Sequence, residues 1–266
     1  MFSKLLLLSY LFTCCVRLTR GYVVMNMKPS KLKNFAQNKF PEIPNEGYNL
    51  VVLGSGPAGE AAAVRARQLS ANVAVIEVKR VFGGPTGLTS KAVREAMKRI
   101  VQAVDQVGGD RRRQIQRLWK KRFPILRNEA EAMQCEETFN KFVKYKVDLF
   151  IGSAELIPKE ESMHGKLSVR VCRPTNCVKI PTDKICIATG SRAHRPNKIY
   201  KNISIEFVPN VIIDSTEMSQ IVDLPRTVGI IGGGVIAVEY ATVFAKLGVG
   251  VSLICPKKNF LPFLEE

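Results

Sequence analysis

The sequence predicts an α/β fold with two similar units joined by a short β-meander. Two observations carry this prediction. The order strand, glycine-rich turn, small-residue helix and strand occurs in residues 48–78 and again in residues 227–255. Between them, residues 148–187 have the pattern of several short strands, with a bend at Gly152. The strands that flank each turn are continuous apolar runs, as expected for parallel strands buried on both faces.

The first glycine turn predicts a dinucleotide site. Its sequence, Gly54-Ser55-Gly56-Pro57-Ala58-Gly59, matches the pattern G-x-G-x-x-G between a strand and a helix. The following strand ends at Glu77, 23 positions after Gly54. An acid at that strand tip can accept a hydrogen bond from a ribose 2′-hydroxyl. We therefore expect backbone N–H groups of the turn to hold a pyrophosphate and Glu77 to hold a ribose.

The second glycine turn, Gly232-Gly233-Gly234-Val235-Ile236-Ala237, repeats the pattern with alanine at the third site. Cys255 stands where the first unit has Glu77, and Pro256, Lys257 and Lys258 follow. Two ammonium groups suit a 2′-phosphate, which predicts a preference for NADPH, unless both lysines point into solvent. The different strand tips predict two different dinucleotides on two Rossmann-like units. The alternative is two unrelated glycine turns.

The formal net charge of +17 is partly concentrated in two basic segments, residues 17–41 and 111–122. Basic segments can bind phosphate backbones. No nucleic-acid motif accompanies them, so a solvated helix face or loop is favoured and no nucleic-acid partner is expected.

The first 46 residues resemble a targeting segment. "MFSKLLLLSYLFTCCV" places one lysine before an apolar run of about a dozen residues, the length of a signal-peptide core. A basic, acid-poor segment of the transit-peptide type follows. We expect an organelle (plastid or mitochondrion) or a secretory route, with no stable membrane insertion after removal of the segment. The alternatives are a mispredicted start codon and a simple secretory signal.

The seven cysteines and two histidines show no metal-ligand spacing, so no metal site is predicted. Cys172 and Cys177 flank the turn of a predicted hairpin, "CRPTNC". A hairpin offers no helix N-terminus to lower a thiol pKa. Structural thiols are therefore favoured there over a redox pair.

These motifs resemble the two-dinucleotide flavoprotein (pyridine nucleotide-disulfide oxidoreductase) family, which includes dihydrolipoamide dehydrogenase, glutathione reductase and soluble pyridine nucleotide transhydrogenase. "ATGSR" and "TSK" are similar to motifs of the whole family, with threonine in place of a proline in the second. "VIIDSTEM…LPRTVGIIGGGVIAVEYATVFAKLG…FLPFLEE" is most similar to the transhydrogenases, and the resemblance covers about residues 47–266. It implies an FAD-binding domain over residues 47–190 and a partial NAD(P)-binding domain over residues 191–266.

The resemblance also implies site residues. Lys91 is expected beside the flavin N5, paired with Glu239, although Glu239 could also be a surface charge of its helix. The residues expected at FAD are Gly54, Gly56, Pro57, Ala58, Gly59, Glu77, Gly84, Thr86, Lys91, Ala154, Ala188, Thr189 and Gly190. Those expected at NADP or NAD are Gly232, Gly234, Val235, Ile236, Glu239, Lys257 and Lys258.

The redox cysteines of the disulfide reductases are missing. They precede the family lysine by nine and four positions, where this sequence has Phe82 and Gly87. Without a dithiol there is no disulfide to reduce. The resemblance therefore predicts a transhydrogenase that passes hydride between NADPH and NAD⁺ through the flavin.

Two alternatives remain open. One is a relative of dihydrolipoamide dehydrogenase. The other is a truncated, non-catalytic FAD/NAD(P)-binding fragment, because by resemblance the chain stops before the rest of the nicotinamide domain and the C-terminal domain through which the family forms homodimers.

Overall fold

The computed structural model describes the backbone of residues 14–18 and 21–25, and then residues 40–79, 82–84, 86–106, 109–158, 161, 167–199, 203–255 and 261; the side chains of residues 86–92, 199 and 219 are outside that description. The chain forms two compact units. The first unit comprises Met1–Thr86 and Glu131–Gly190, and the second comprises Gly87–Ala130 and Ser191–Glu266. The contiguous division predicted at residue 190 assigned residues 87–130 to the FAD-binding domain, whereas they cluster with the second unit.

The described part of the chain contains strands, helices and one 3₁₀ turn. In chain order they are β1 (Cys14–Leu18), β2 (Gly21–Met25), β3 (Tyr48–Leu53), α1 (Pro57–Gln68), β4 (Val73–Glu77), α2 (Thr86–Asp105), α3 (Arg111–Lys144), β5 (Asp148–Ile151), β6 (Ser153–Ile157), β7 (Leu167–Cys172), β8 (Cys177–Ile187), β9 (Lys198–Ile199), β10 (Ile203–Ser204), a 3₁₀ turn (Glu217–Gln220), β11 (Thr227–Ile231), α4 (Val235–Lys246) and β12 (Gly250–Ile254).

The first unit is built on a six-stranded sheet with the order β5-β4-β3-β8-β7-β6. Strands β5, β4, β3 and the second half of β8 are parallel, and β6, β7 and the first half of β8 form an antiparallel meander. Gly152 separates β5 from β6, as the sequence predicted. The α/β fold with a β-meander is therefore confirmed.

The parallel strands of the first unit are buried on both faces. Val52 and Val75 pack on one side with Phe82, Phe139 and Phe142. Alternate residues of the same strands point the opposite way, as strand geometry requires. On that second side, Phe150 of β5 stacks on Phe40 with 6.0 Å between ring centroids.

Residues at the end of the predicted targeting segment pack against the first unit. Phe40 and Ile43 pack on the side of the sheet that contains Phe150. Of the predicted signal core in residues 1–16, residues 1–13 lie outside the described residues, and residues 14–16 belong to β1. Within the described part of the chain, none of the helices combines the length and apolar character that a transmembrane span requires.

The second unit packs helices against the parallel pair β11 and β12. Helix α4 connects the two strands and buries Tyr240, Val243 and Phe244. The first half of α3 contributes Trp119 and Phe123, whose rings stack at 4.1 Å between centroids. Strand, glycine turn, helix and strand therefore occur in both units, as predicted.

Candidate dinucleotide-binding sites

The first glycine turn is a tight connection between β3 and α1. Gly54 has φ +101°, and its N–H donates to the carbonyl oxygen of Ile76 on β4 at 2.8 Å. A Cβ on Gly54 would lie 2.4 Å from the carbonyl oxygen of Ala188. Glycine is required here because both the positive φ and the close backbone exclude a side chain.

The start of α1 presents backbone donors to an open space. Gly56 is the N-cap residue and has an extended backbone, and Pro57 is the first helical residue. Because glycine has no side chain, the first N–H groups of the helix are not occupied by the cap. A Cβ built on Gly56 would meet no atom of the described residues within 4 Å. The first N–H groups of a helix have no intrahelical partner and lie at the positive end of its dipole. This arrangement suits the pyrophosphate of a dinucleotide.

Glu77 at the tip of β4 is fixed against the turn by three hydrogen bonds. Its Oε2 accepts from the backbone N–H of Ser55 at 3.0 Å and from the Ser55 hydroxyl at 2.6 Å, and its Oε1 accepts from the N–H of Lys79 at 3.1 Å. A carboxylate offers about four acceptor positions, so one remains for a ribose hydroxyl. Sequence reasoning missed the fully buried Ser55, whose position beside the strand tip was the available signal.

Two further backbone segments pack against this turn. Gly83 donates from its N–H to the carbonyl oxygen of Ser55 at 3.0 Å, and a Cβ on Gly84 would lie 3.2 Å from Cα of Gly56. Ala188 donates from its N–H to the carbonyl oxygen of Leu53 at 2.9 Å. The structure therefore brings the predicted Gly84 and Ala188 to the turn.

The remaining predicted residues of the first site lie farther along these segments. Thr189 and Gly190 follow Ala188 and are exposed, and Gly190 has φ +72°. Ala154 is exposed on β6, two residues after Gly152, whose N–H donates to the carbonyl oxygen of Glu77 at 3.0 Å. The side chains of Thr86 and Lys91 lie outside the described residues.

An ion pair joins α1 to α3 beside the turn. Glu60 accepts a hydrogen bond from the Thr138 hydroxyl at 2.6 Å and another from Nζ of Lys141 at 2.6 Å. The hydrogen bond with Glu60 raises the pKa of Lys141. Because Glu60 lies in the first turn of α1, its pairing with Lys141 reduces its repulsion of an anion bound at the helix start.

The position of the first family cysteine is filled by a buried aromatic ring. Phe82 is completely buried, with 5.8 Å to the ring centroid of Phe139 and 6.4 Å to that of Phe142. Its backbone N–H donates to Sγ of Cys135 at 3.2 Å. Burial raises the pKa of the Cys135 thiol, more than the hydrogen bond from Phe82 lowers it. Cys135 is therefore a structural thiol near this segment rather than a reactive one.

The second glycine turn has the geometry of the first. Gly232 has φ +141°, and its N–H donates to the carbonyl oxygen of Ile254 at 2.9 Å. Gly234 is the N-cap residue of α4 and also has an extended backbone. In the first turn the equivalent acceptor, Ile76, precedes Glu77; here Ile254 precedes Cys255. The structure therefore supports the alignment of Cys255 with Glu77.

The start of α4 is open on its outer side. Val235 and Ile236 are 49% and 56% exposed. Lys257 and Lys258, predicted to hold a 2′-phosphate, lie outside the described residues.

Glu239, in the second turn of α4, forms an ion pair with a residue that sequence reasoning missed. Nη1 of Arg94 on α2 lies 3.2 Å from Oε1 of Glu239. Arg94 is three positions after Lys91, so the two share one helix face. That spacing was the available signal.

Cys172 and Cys177 form a disulfide bond. The two residues are directly paired across β7 and β8, as expected for the predicted hairpin. The sequence analysis favoured structural thiols over a redox pair here and did not predict the bond, which forms because direct cross-strand pairing places the two sulfur atoms together. Within the hairpin turn, Nε of Arg173 donates to the carbonyl oxygen of Ile151 at 2.7 Å, and its guanidinium lies 4.1 Å from the ring centroid of Phe40.

The family model for pyridine nucleotide-disulphide oxidoreductases matches residues 48–266. The chain belongs to this family. Its members are FAD-dependent enzymes that use nicotinamide dinucleotides. Soluble pyridine nucleotide transhydrogenase from Pseudomonas paraeruginosa is 31% identical over 232 residues, covering 82% of this chain and 46% of the relative. The transhydrogenase of Pseudomonas savastanoi is 33% identical over 231 residues with the same coverage.

Solved structures agree with this assignment. The Cu(II) complex of the HOCl-induced flavoprotein disulfide reductase RclA from Escherichia coli has a TM-score of 0.58 and 26% identity, covering 82% of this chain and 44% of that one. LpdA from Mycobacterium tuberculosis has a TM-score of 0.59 at 19% identity, covering 80% and 46%, which shows the shared fold. The chain spans about half the length of the curated relatives it matches.

Proposed function

We propose that this chain is the FAD- and NAD(P)-binding part of a transhydrogenase-like flavoprotein that passes hydride between NADPH and NAD⁺ without a redox-active disulfide. One observation carries the proposal. Both glycine turns have intact geometry, whereas the first family cysteine position holds Phe82, which is completely buried. The dinucleotide sites are therefore retained without the thiol that a disulfide reductase needs next to its flavin.

The residues of the first turn fit FAD. Gly56 leaves room for the pyrophosphate at the start of α1, and Glu77 has an acceptor position for the adenosine ribose. Ser55 holds that carboxylate in place before the cofactor binds, which lowers the cost of ordering it. When bound, FAD supplies the hydride-accepting and hydride-donating chemistry.

Two cations are proposed to share Glu239. The resemblance assigns Lys91 to the flavin N5, and Arg94 contacts Glu239 at 3.2 Å. The resemblance thus implies two cations, Lys91 and Arg94, for one carboxylate and a net positive charge at this site. A positive site favours an anionic form of the reduced cofactor. We assign Glu239 and Arg94 to holding charge and geometry, because an arginine does not release its proton in proteins.

The second turn is assigned to the nicotinamide dinucleotide, with a modest preference for NADPH. Cys255 lacks the negative charge that would repel a 2′-phosphate, and Lys257 and Lys258 follow it. An exposed lysine–phosphate contact contributes roughly 1 kcal/mol, or about fivefold to tenfold in affinity. The preference stays small because a transhydrogenase must accept both nucleotides.

Targeting and assembly complete the proposal. The apolar and then basic composition of residues 1–39 supports an organelle or secretory route. The family resemblance supports a homodimer for a chain with the family's C-terminal domain.

The first experiment measures flavin binding and turnover of the purified chain. We expect a yellow protein whose flavin absorbance is bleached by NADPH under anaerobic conditions and restored by NAD⁺. Glu77→Gln should weaken FAD binding about tenfold, because the ribose loses a charge-assisted hydrogen bond. Glu42→Gln, an exposed substitution with the same change in net charge, is the matched control.

Other outcomes select the alternatives. Bound flavin that NADPH does not bleach would indicate a non-catalytic FAD-binding fragment. Bleaching by dihydrolipoamide that is lost in Cys172→Ser/Cys177→Ser would indicate a disulfide reductase relative. Folded protein that takes up no FAD would refute the proposal.

A further inference from the structure

The basic segment of α3 packs on the hydrophobic core of the second unit. From Arg111 to Arg127 the helix carries eight cations and no acid. The same turns bury Ile115, Trp119 and Phe123 in the core. The indole N–H of Trp119 donates to the carbonyl oxygen of Ile221 at 3.0 Å and fixes the helix against the loop before β11. The positions of the cations are therefore set by a packed helix rather than by a flexible loop.

Some of these cations line a concave pocket of about 330 Å³, which we name the Arg117 pocket. Its wall on α3 follows the spacing i, i+3, i+4, i+7, which places side chains on one helix face. Lys120 forms an ion pair with Asp223 at 2.8 Å and Gln116 donates to the carbonyl oxygen of Leu224 at 3.4 Å, so the helix and the loop form opposite walls. The lining residues are Arg113, Gln116, Arg117, Lys120, Asp223 and Leu224.

The charges of the Arg117 pocket do not balance. Three cations face one carboxylate, because Asp223 is the only acid in the lining. Arg113 pairs with Asp110 at 3.2 Å and Lys120 pairs with Asp223. Among the described residues, the Arg117 guanidinium has no ion-pair or hydrogen-bond partner. Its five N–H donors are therefore available to a ligand.

The charges at the start of α3 are already partly balanced. The N–H of Arg113 donates to Oδ1 of Asp110 at 3.1 Å, and Nε of Arg111 lies 3.1 Å from Oδ1 of Asp105. The excess positive charge of the pocket therefore rests mainly on Arg117.

From this geometry we propose that the Arg117 pocket binds a small phosphate-bearing anion, with Arg117 as the principal contact and Arg113 and Lys120 as flanking cations. A planar guanidinium matches two phosphate oxygens at once, and an ammonium adds a compact charge beside it. The pocket volume is at the lower end of the range for small-molecule sites, which fits a diphosphate or phosphomonoester group. This site is separate from the two glycine turns and does not rest on the proposed function.

A small solute fits the described residues better than a nucleic acid strand. Single-stranded nucleic acids need aromatic side chains on which bases stack. The aromatic residues of this part of α3, Trp119 and Phe123, are 2% and 1% exposed in the core. Binding through backbone phosphates alone would use every exposed cation of the helix equally, not one pocket.

The test is calorimetric titration of the full chain with sodium pyrophosphate, at an ionic strength held constant with sodium chloride. We expect saturable binding to the wild type. Arg117→Gln should raise the Kd at least about tenfold. Arg122→Gln removes the same charge from an exposed position of the same helix outside the pocket, and should leave the Kd unchanged. Asp223→Asn should lower the Kd, because it removes the only acid of the lining.

Every other outcome overturns the proposal. Pyrophosphate that binds equally to wild type and Arg117→Gln is held elsewhere, for instance at a glycine turn. Equal weakening by Arg117→Gln and Arg122→Gln would mean unspecific charge attraction. Binding only to phosphatidylserine vesicles, or only to a single-stranded RNA oligonucleotide, with no heat from pyrophosphate, would assign the surface to a membrane or to nucleic acid.

Discussion

Arg94 and Glu239 join helices α2 and α4 of the second unit through an ion pair with 3.2 Å between Nη1 and Oε1. The family resemblance gave Glu239 a different partner, Lys91. The pair also connects a helix of the 87–130 segment to the helix that follows the second glycine turn.

Arg94→Gln should cost at most about 1 kcal/mol of unfolding free energy. The two side chains are 49% and 27% exposed, and ion pairs of that exposure are largely screened by water. Urea denaturation of the chain measures the difference. Arg99→Gln, which breaks the more exposed pair with Glu95, is the control and should have a smaller effect. A loss of several kcal/mol for Arg94→Gln would show that the pair is effectively buried.

Gly59→Ala should destabilise the fold, whereas Gly56→Ala should leave the fold intact and weaken FAD binding. A Cβ on Gly59 would lie 2.0 Å from the carbonyl oxygen of Gly54, so we expect a loss of about 3 kcal/mol of stability. A Cβ on Gly56 meets no described atom within 4 Å, so the fold should persist. That Cβ occupies the space of the pyrophosphate, and FAD affinity should fall at least about tenfold. Thermal unfolding and FAD titration give the two readouts, and undiminished FAD affinity in Gly56→Ala would place the cofactor elsewhere.

Asp214→Asn should destabilise the chain at neutral pH but not at strongly acidic pH. Burial raises the pKa of Asp214, but the hydrogen bond from Arg195 at 2.6 Å and those from the N–H groups of Thr216 and Glu217 outweigh it, so the pKa lies below its ordinary 3.8. A lowered folded-state pKa contributes stability above pH 3.8 that is lost as the pH falls through the folded-state value. We expect a loss of about 1–2 kcal/mol at pH 7.

The pH profile distinguishes this effect from a general loss of packing. The difference between wild type and Asp214→Asn should shrink below pH 3.8. Asp105→Asn, at an exposed ion pair, should show a smaller and flatter difference. A constant difference at every pH would contradict the role of the ionised carboxylate.

The disulfide should matter for stability and not for redox turnover. Cys172→Ser/Cys177→Ser should lower the unfolding free energy by about 2 kcal/mol, the value for closing a loop of this length. Flavin reduction by NADPH should not change, because the pair lies in a hairpin rather than in the segment of Phe82. Stopped-flow absorbance and urea unfolding measure the two effects, with Cys186→Ser as a control. Slower reduction in the folded double variant would make the disulfide part of the electron path.

The sequence was sufficient for features that depend on neighbouring residues. Both glycine turns and their strands follow from apolar runs and from Gly54 and Gly232, whose φ values other residues avoid. The bend at Gly152 follows from the glycine between two strand patterns, and a Cβ there would lie 2.6 Å from the carbonyl oxygen of Cys172. Glu77 and Cys255 correspond because each lies 23 positions after the first glycine of its turn. The hydrogen bonds of Gly54 and Gly232 support this correspondence.

Features that depend on distant partners could not be obtained in this way. Helix α3 begins in the second unit and ends in the first, and its pattern of apolar residues does not say which core each part joins. The choice of Arg94 as a partner for Glu239 depends on how α2 packs on α4. The disulfide required the exact strand register, in which Cys172 and Cys177 are directly paired.

Strand β8 also determines the order in which the first unit can be completed during synthesis. It is a hydrogen-bonded neighbour of β3, yet the side chains of Asn49 and Asp183, which bond at 3.0 Å, are 134 positions apart. At ribosomal rates, one edge of β3 therefore waits on the order of ten seconds for its partner to be translated. An unpaired strand edge can recruit other chains during that interval. The yield of folded protein should thus depend on translation speed and on chaperones that cover nascent strands, more than on the final stability of the sheet.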